Sequence, residues 1–236
     1  MTAISATANR TLMTQARESL RGKWGLAVVT VLVYYIVSAL PNAIPMAGFV
    51  VSLLIGGALS LGLAIFALAL ARGQEARIAM VFDGFRNFGV ALGAYLLMMI
   101  FVILWTLLLV IPGIIAFLSY SQTYYLIAQN EQLGPLEAIT RSKEMMRGNR
   151  WKLFCLSCRF IGWALLGVLT FGIGLLWVVP YMTVAFAKFH DDLVETGATG
   201  EAAAPVGAVP PPAEPPAEAP AEQDPAASDT TDDGGE

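Results

Sequence analysis

The chain has 236 residues, 56% hydrophobic and 14% charged, with a formal net charge of −4. Soluble domains typically carry about 25% charged residues, so this composition excludes an ordinary water-soluble globule. The net charge averages two unlike parts: positions 201–236 hold nine acidic residues and no basic one, which leaves +5 on the 200 residues before them.

Positions 1–23 are polar to amphipathic. Leu12, Ala16 and Leu20 recur every four residues while Arg10, Arg17 and Arg21 lie elsewhere. That spacing predicts an amphipathic helix resting on an anionic inner leaflet, with a solvated arm as the alternative. No cleaved signal peptide is expected, because the first apolar run is long and leads straight into another. Spanning helices are expected over 24–40 and 46–71, separated by Pro41 and Pro45, since about 20 apolar residues cover a hydrocarbon core. In the second, Ser52, Gly56, Ser60 and Ala64 fall four apart. Small residues so spaced admit a second helix backbone; a glycine-lined pore is the other reading.

Positions 72–88 form a loop, with Asp83 the expected N-cap of a third helix over 89–111. A helix unbroken from there to Asn130 would be about 63 Å long, twice the hydrocarbon thickness. Pro112–Gly113 is therefore read as a turn and 113–130 as a fourth helix. It holds Tyr120, Ser121, Gln122, Thr123, Tyr124 and Tyr125, making it the most polar crossing. Positions 135–148 predict a second interfacial helix with Leu136, Ile139, Lys143 and Met146 on one face and a Glu137–Arg141 pair. Helices over 151–170 and 175–189 flank a turn at Gly172–Gly174. From 195 to 236 the chain is rich in Pro, Ala, Glu and Asp without an aromatic residue, which predicts a disordered acidic tail.

The cations gather in the connections that alternate with these uncharged turns, so the positive-inside rule places both termini in the cytoplasm. The expected fold is all-α: six transmembrane helices in three hairpins over 24–194, with two interfacial amphipathic helices. Lys143, Arg147, Arg150 and Lys152 form a rim that attracts anionic lipid headgroups by about 1 kcal/mol per cation, or sets topology alone. A membrane-protein partner and a homo-oligomer both stay open. Nucleic acid is excluded as a partner, because the cations lie against the bilayer and the tail is acidic.

Reactive constellations are few. His190 is the single histidine and is expected as a solvated helix-end residue. Cys155 and Cys158 share a helix face, where small residues suit packing, and a zinc site would need a second pair. Arg159 falls about 12 Å into the fifth helix. It either snorkels to lipid phosphate or joins Tyr120 and Tyr124 in a polar site. No cofactor-binding motif is present.

Several ordered strings carry a resemblance: Ala16–Gly25 (ARESLRGKWG), Phe82–Phe85 (FDGF), Leu107–Tyr120 (LLLVIPGIIAFLSY), Ser142–Gly148 (SKEMMRG), Trp151–Phe154 (WKLF), Phe160–Trp163 (FIGW) and Gly172–Tyr181 (GIGLLWVVPY). Together they resemble the DUF975 family of bacterial integral membrane proteins, a family of unknown function. More distantly the layout is similar to the membrane domain of some glycerophosphodiester phosphodiesterases. The resemblance implies a multi-pass protein of the inner membrane and supplies no catalytic residues. The expected function is a non-enzymatic organising, regulatory or assembly role. The alternative is a carrier or channel for a small solute near Tyr120, Tyr124 and Arg159.

Overall fold

A computed structural model describes residues 7–43, 48–170 and 172–197; the tail expected to be disordered lies outside them from 198 onward. The helices are α1 (Asn9–Ser19), α2 (Trp24–Ala39), α3 (Gly48–Ala71), α4 (Met80–Asp83), α5 (Phe88–Leu108), α6 (Val110–Tyr120), α7 (Thr123–Gln129), α8 (Pro135–Met145), α9 (Arg150–Leu169) and α10 (Leu175–Glu195). Among the described residues there is no strand. Four spans pass on length and hydropathy: α3, α5, α6 with α7, and α9; α1 with α2, bent by 97°, makes a fifth only if the pair is one span. With 16 residues, α2 is about 24 Å long, short of a core of roughly 30 Å. The C-terminal part of α10 carries Lys188, Asp191, Asp192 and Glu195. The expected count of six is therefore not reached on these criteria alone.

Three successive helix pairs, α2–α3, α5–α6/α7 and α9–α10, contact one another in cyclic order. Their second members are inner: α3 packs on both α7 and α10, and Tyr125 of α7 stacks on His190 of α10. Each first member lies on the second member of the preceding pair, α5 on α3, α9 on α6 and α2 on α10. The short helix leading into each pair follows the same rule, with α4 on α3, α8 on α7 and α1 on α10. The bundle is thus pseudo-threefold. Leu59, Phe66 and Leu70 of α3, Ile127 of α7 and Phe189 of α10 are buried, whereas Ile100, Leu104 and Leu107 of α5 and Ile161, Leu165 and Leu169 of α9 are exposed. An apolar surface this extensive suits lipid rather than water.

Two of the leading segments repeat in sequence. Ala16–Gly22 (ARESLRG) and Ser142–Gly148 (SKEMMRG) lie 126 positions apart. Both end on a glycine in the left-handed region, Gly22 at φ 78° and Gly148 at φ 81°, a conformation that favours glycine at a helix C-terminus. The next residue closes each turn: Lys23 N–H donates to the Leu20 carbonyl at 2.9 Å and Asn149 N–H to the Met146 carbonyl at 3.1 Å.

The apolar faces of α1 and α8 meet protein, which corrects the interfacial reading. Leu12, Ala16 and Leu20 have no exposed surface and join the main core with Val184 and Phe189, and Tyr181 donates its hydroxyl to the Met13 carbonyl at 3.0 Å. On α8 the buried residues are Ala138, Ile139, Ser142 and Met145, while Leu136 is 58% exposed and Lys143 faces outward. Of the expected face, Ile139 and Met146 are thus buried while Leu136 and Lys143 are not, and Ser142 turns inward in their place. The Glu137–Arg141 pair forms at 2.8 Å.

Close helix approach falls to other glycines than the expected stripe. A Cβ on Gly62 would overlap the Val81 carbonyl, one on Gly84 the Ala58 carbonyl, and one on Gly57 would lie 2.6 Å from the Ala91 carbonyl oxygen. Gly84 thereby gives the FDGF string its physical reason. Asp83 ends α4 and does not cap α5, whose N-cap is Asn87.

At one end of the bundle the cation-bearing segments touch. Lys23 Nζ donates to the Gln74 carbonyl at 3.1 Å, and Asn9 Nδ2 to the Lys152 carbonyl at 3.1 Å. Arg72 pairs with Asp191 at 2.7 Å and Lys152 with Asp192 at 3.2 Å. Thr7 also donates its hydroxyl to Asp192.

Candidate functional site: a hydroxyl-lined cavity

The fourth expected helix is broken, and the break builds the site. Backbone at Leu109 is extended, so the α5–α6 turn comes three residues before Pro112, and α6 stops at Tyr120. Thr123 Oγ1 donates to the Tyr120 carbonyl at 2.7 Å. Ser142 reaches in from α8, donating to the Ser119 carbonyl at 2.8 Å and accepting the Gln122 N–H at 3.2 Å. Interrupted backbone away from water is tolerated where protein satisfies it or where it lines a cavity. Both conditions hold here.

Beneath the break, His190 corrects its expected role. It has no exposed surface, because α10 continues to Glu195 and its neighbours close over it. Gln122 Nε2 donates to Ser121 Oγ at 3.2 Å, which leaves Gln122 Oε1 as the acceptor facing His190 Nδ1 at 3.1 Å. The proton is accordingly assigned to Nδ1, and Nε2 is buried without a partner. Burial pushes the imidazole down to a pKa of about 3, with the Arg72 charge adding to the shift. The ring is neutral at physiological pH.

Above the break is a cavity of about 470 Å³. All three hairpins contribute to its wall: Tyr34 from α2, Ser60 from α3, Tyr95 from α5, Tyr124 from α7, Ser157 from α9 and Thr183 from α10. Carbon dominates between these hydroxyls, with Leu63, Met98, Met99, Val102, Leu118 and Phe186, and no charged side chain lines it. The Tyr124 hydroxyl lies toward Ser60, but it is buried with no hydrogen bond of ordinary geometry.

Tyr120 and Tyr124 therefore come together as expected residues of one site, while Arg159 stays outside it, exposed on α9. The cause is helical: Arg159 is two residues past Ser157, about 200° round the helix. Ser60 and Ala64 of the small-residue stripe line the cavity. Gly56 lies under Tyr95, where a Cβ would meet the ring at 3.3 Å, and the Ser52 hydroxyl is buried without a partner. Of the expected rim, Lys143 and Arg147 are exposed. Lys152 instead turns in to Asp192, and Arg150 Nε is buried without a partner. Cys155 and Cys158 are exposed on α9 rather than set into a helix contact. Among the described residues no group of three or more His, Cys, Asp or Glu side chains is placed to hold a metal ion.

Tyr34, Tyr95, Ser142, Ser157 and Thr183 were not singled out from the sequence as site residues. The polar run Tyr120–Tyr125 was the available signal, and only the packing of other helices around it supplies these partners.

The family model described as Protein of unknown function (DUF975) matches residues 7–119 and 106–196. No curated protein and no solved structure matches the chain.

Proposed function

The chain belongs to the DUF975 family, and from that premise we propose that it is a multi-pass membrane protein that binds a small uncharged molecule at the centre of its bundle. The observation that carries this reading is a cavity of about 470 Å³ whose wall is shared by all three hairpins. Pockets that hold small ligands typically run from roughly 300 to 1,000 Å³ with a few placed polar groups on apolar walls. Binding or carriage is favoured over catalysis because the polar groups on the wall are hydroxyls and amphipathic phenols, with no carboxylate, thiol or imidazole. This cavity is what prefers the carrier-like reading to a purely organising role.

The proposal includes three membrane hairpins with both termini cytoplasmic in a bacterial inner membrane. Its support is the alternation of cationic connections with uncharged turns, and the contacts that gather Lys23, Arg72 and Lys152 at one end. Lys143 and Arg147 are exposed at positions suited to anionic headgroups.

Occupancy is read by native mass spectrometry of protein released from membranes, wild type beside Ala64→Phe. Retention of a small ligand by wild type and its loss in the variant is expected. Wild-type protein that carries nothing and takes up nothing in reconstituted vesicles would overturn the reading. Orientation is checked separately with Cys155 and Cys158 replaced by Ser. Impermeant maleimide should label a cysteine placed at Asn42 or Gly172 from outside, and one at Gln74 only after permeabilisation.

A further inference from the structure

We infer that the ligand of the central cavity is a neutral molecule with an apolar body and an acceptor oxygen that reaches it from the bilayer. The inference rests on the cavity reading above and adds the chemistry of the occupant.

Three observations converge. First, among the described residues no Asp, Glu, Lys, Arg or His side chain lines the cavity. A charged ligand there would lose its hydration with nothing opposite to compensate, a cost of several kcal/mol or more. Ions and zwitterions are therefore disfavoured. Second, the wall between the hydroxyls is carbon, with Met98 and Met99 from α5 and Phe186 from α10. Apolar walls hold water poorly and bind apolar groups, so a sugar-like solute with hydroxyls all round would leave many of them unmatched. Methionine adds a wall that adapts to irregular shapes.

Third, the Tyr124 hydroxyl is buried and makes no hydrogen bond of ordinary geometry, with Ser60 the polar group nearest to serving it. An unpaired buried hydroxyl costs about 1–3 kcal/mol. A phenol is a donor as well as an acceptor, and a ketone, ester or alcohol oxygen on the ligand would accept its proton. Ser60 lies beside it on the same wall. The route of entry follows from Phe117, which lines the cavity and is also 64% exposed on the outer surface of α6. The cavity margin there lies at the lipid-facing surface, where a neutral apolar molecule is already concentrated.

The test uses the full-length protein in nanodiscs and three photoreactive probes sharing one C12 chain with an internal diazirine. One ends in a hydroxyl, one in a methyl group and one in a carboxylate. Labelled peptides are mapped by mass spectrometry, with outward peptides of α9 as the lipid background. Labelling of the Met98–Val102 and Tyr120–Tyr125 peptides by the alcohol probe, saturable with 1-dodecanol, is expected. Tyr124→Phe should weaken that saturable labelling by about three- to tenfold, the value of one hydrogen bond, and leave the methyl-ended probe unchanged.

Saturable cavity labelling by the carboxylate probe at the level of the alcohol, or an unchanged response in Tyr124→Phe, would overturn the ligand class while leaving the cavity in place. A different result tests the underlying reading. Ala64→Phe on α3 and Ser157→Phe on α9, each with wild-type circular dichroism, should abolish saturable labelling by both neutral probes. Undiminished labelling in both of these folded variants would refute the cavity itself.

Discussion

Replacing Ser142 by Ala removes one buried hydroxyl that serves two backbone groups. Its oxygen donates to the Ser119 carbonyl at 2.8 Å and accepts the Gln122 N–H at 3.2 Å, and Ser142 itself has no exposed surface. An average hydrogen bond between membrane helices contributes only about 0.6 kcal/mol, because alternatives are found when it is lost. Here neither backbone group has such an alternative. Both lie at the end of α6, where the next helical turn has already been given up. Leaving a buried donor or acceptor unmade costs about 1–3 kcal/mol each, so the expected loss for the two is about 2–6 kcal/mol. Thr140→Ala on the same helix is the control: its hydroxyl donates to the Leu136 carbonyl at 2.9 Å in an exposed position. It should cost about 0.5 kcal/mol or less. Equilibrium unfolding in mixed micelles, followed by tryptophan fluorescence, measures both. A Ser142→Ala protein as stable as Thr140→Ala would show that the α6–α7 break is not held by α8.

His190 gives a pH dependence of known sign. Its folded pKa of about 3 lies below the unfolded 6.5, so the unfolded chain binds the extra proton first as pH falls. Stability is present above about 6.5 and is lost toward 3, with a slope of at most about 1.4 kcal/mol per pH unit. Gln122 faces the ring from the α6–α7 break and Tyr125 from α7, Arg72 adds its charge from just past α3, and Asp191 and Asp192 follow it on α10. The measured quantity is the difference in slope between wild type and His190→Gln; equal slopes would contradict the buried neutral ring. Gly62→Ala should cost roughly 1–3 kcal/mol by overpacking against the Val81 backbone, whereas Gly25→Ala, with nothing within 4 Å, should be neutral or mildly stabilising. Asp192→Asn should destabilise by about 3 kcal/mol through the partly buried Lys152 ammonium. Restoration of most of that loss in Lys152→Met/Asp192→Leu is expected, and a double variant as unstable as the single one would argue against the pair.

Sequence periodicity located the starts of α1 and α8 and overran their C-terminal ends by three or four residues, because amphipathic spacing is a local property of the helix. It did not say what those faces touch. A face of Leu12, Ala16 and Leu20 fits lipid headgroups or the side of α10 equally well, and only the arrangement of the other helices decides. Arg159 shows the same limit from the opposite side. Its depth in α9 was readable, but its direction was not, and two residues of rotation separate it from Ser157 in the cavity wall. The repeat of ARESLRG and SKEMMRG was present in the sequence throughout; it becomes informative beside the matching turns at Gly22 and Gly148.

Composition by itself determined that this chain is built of long apolar helices suited to lipid, and the spacing of cations and uncharged turns marked where those helices are interrupted. Those properties follow from transfer energies and helix length, which each segment carries alone. The cyclic order of the hairpins, the broken α6–α7 helix spliced by Ser142, the buried His190 and the hydroxyl-lined cavity were decided by tertiary packing. In lipid the apolar effect no longer distinguishes a neighbouring helix from an acyl chain, so close glycine contacts and buried hydrogen bonds make that choice. Both depend on residues far apart in the chain.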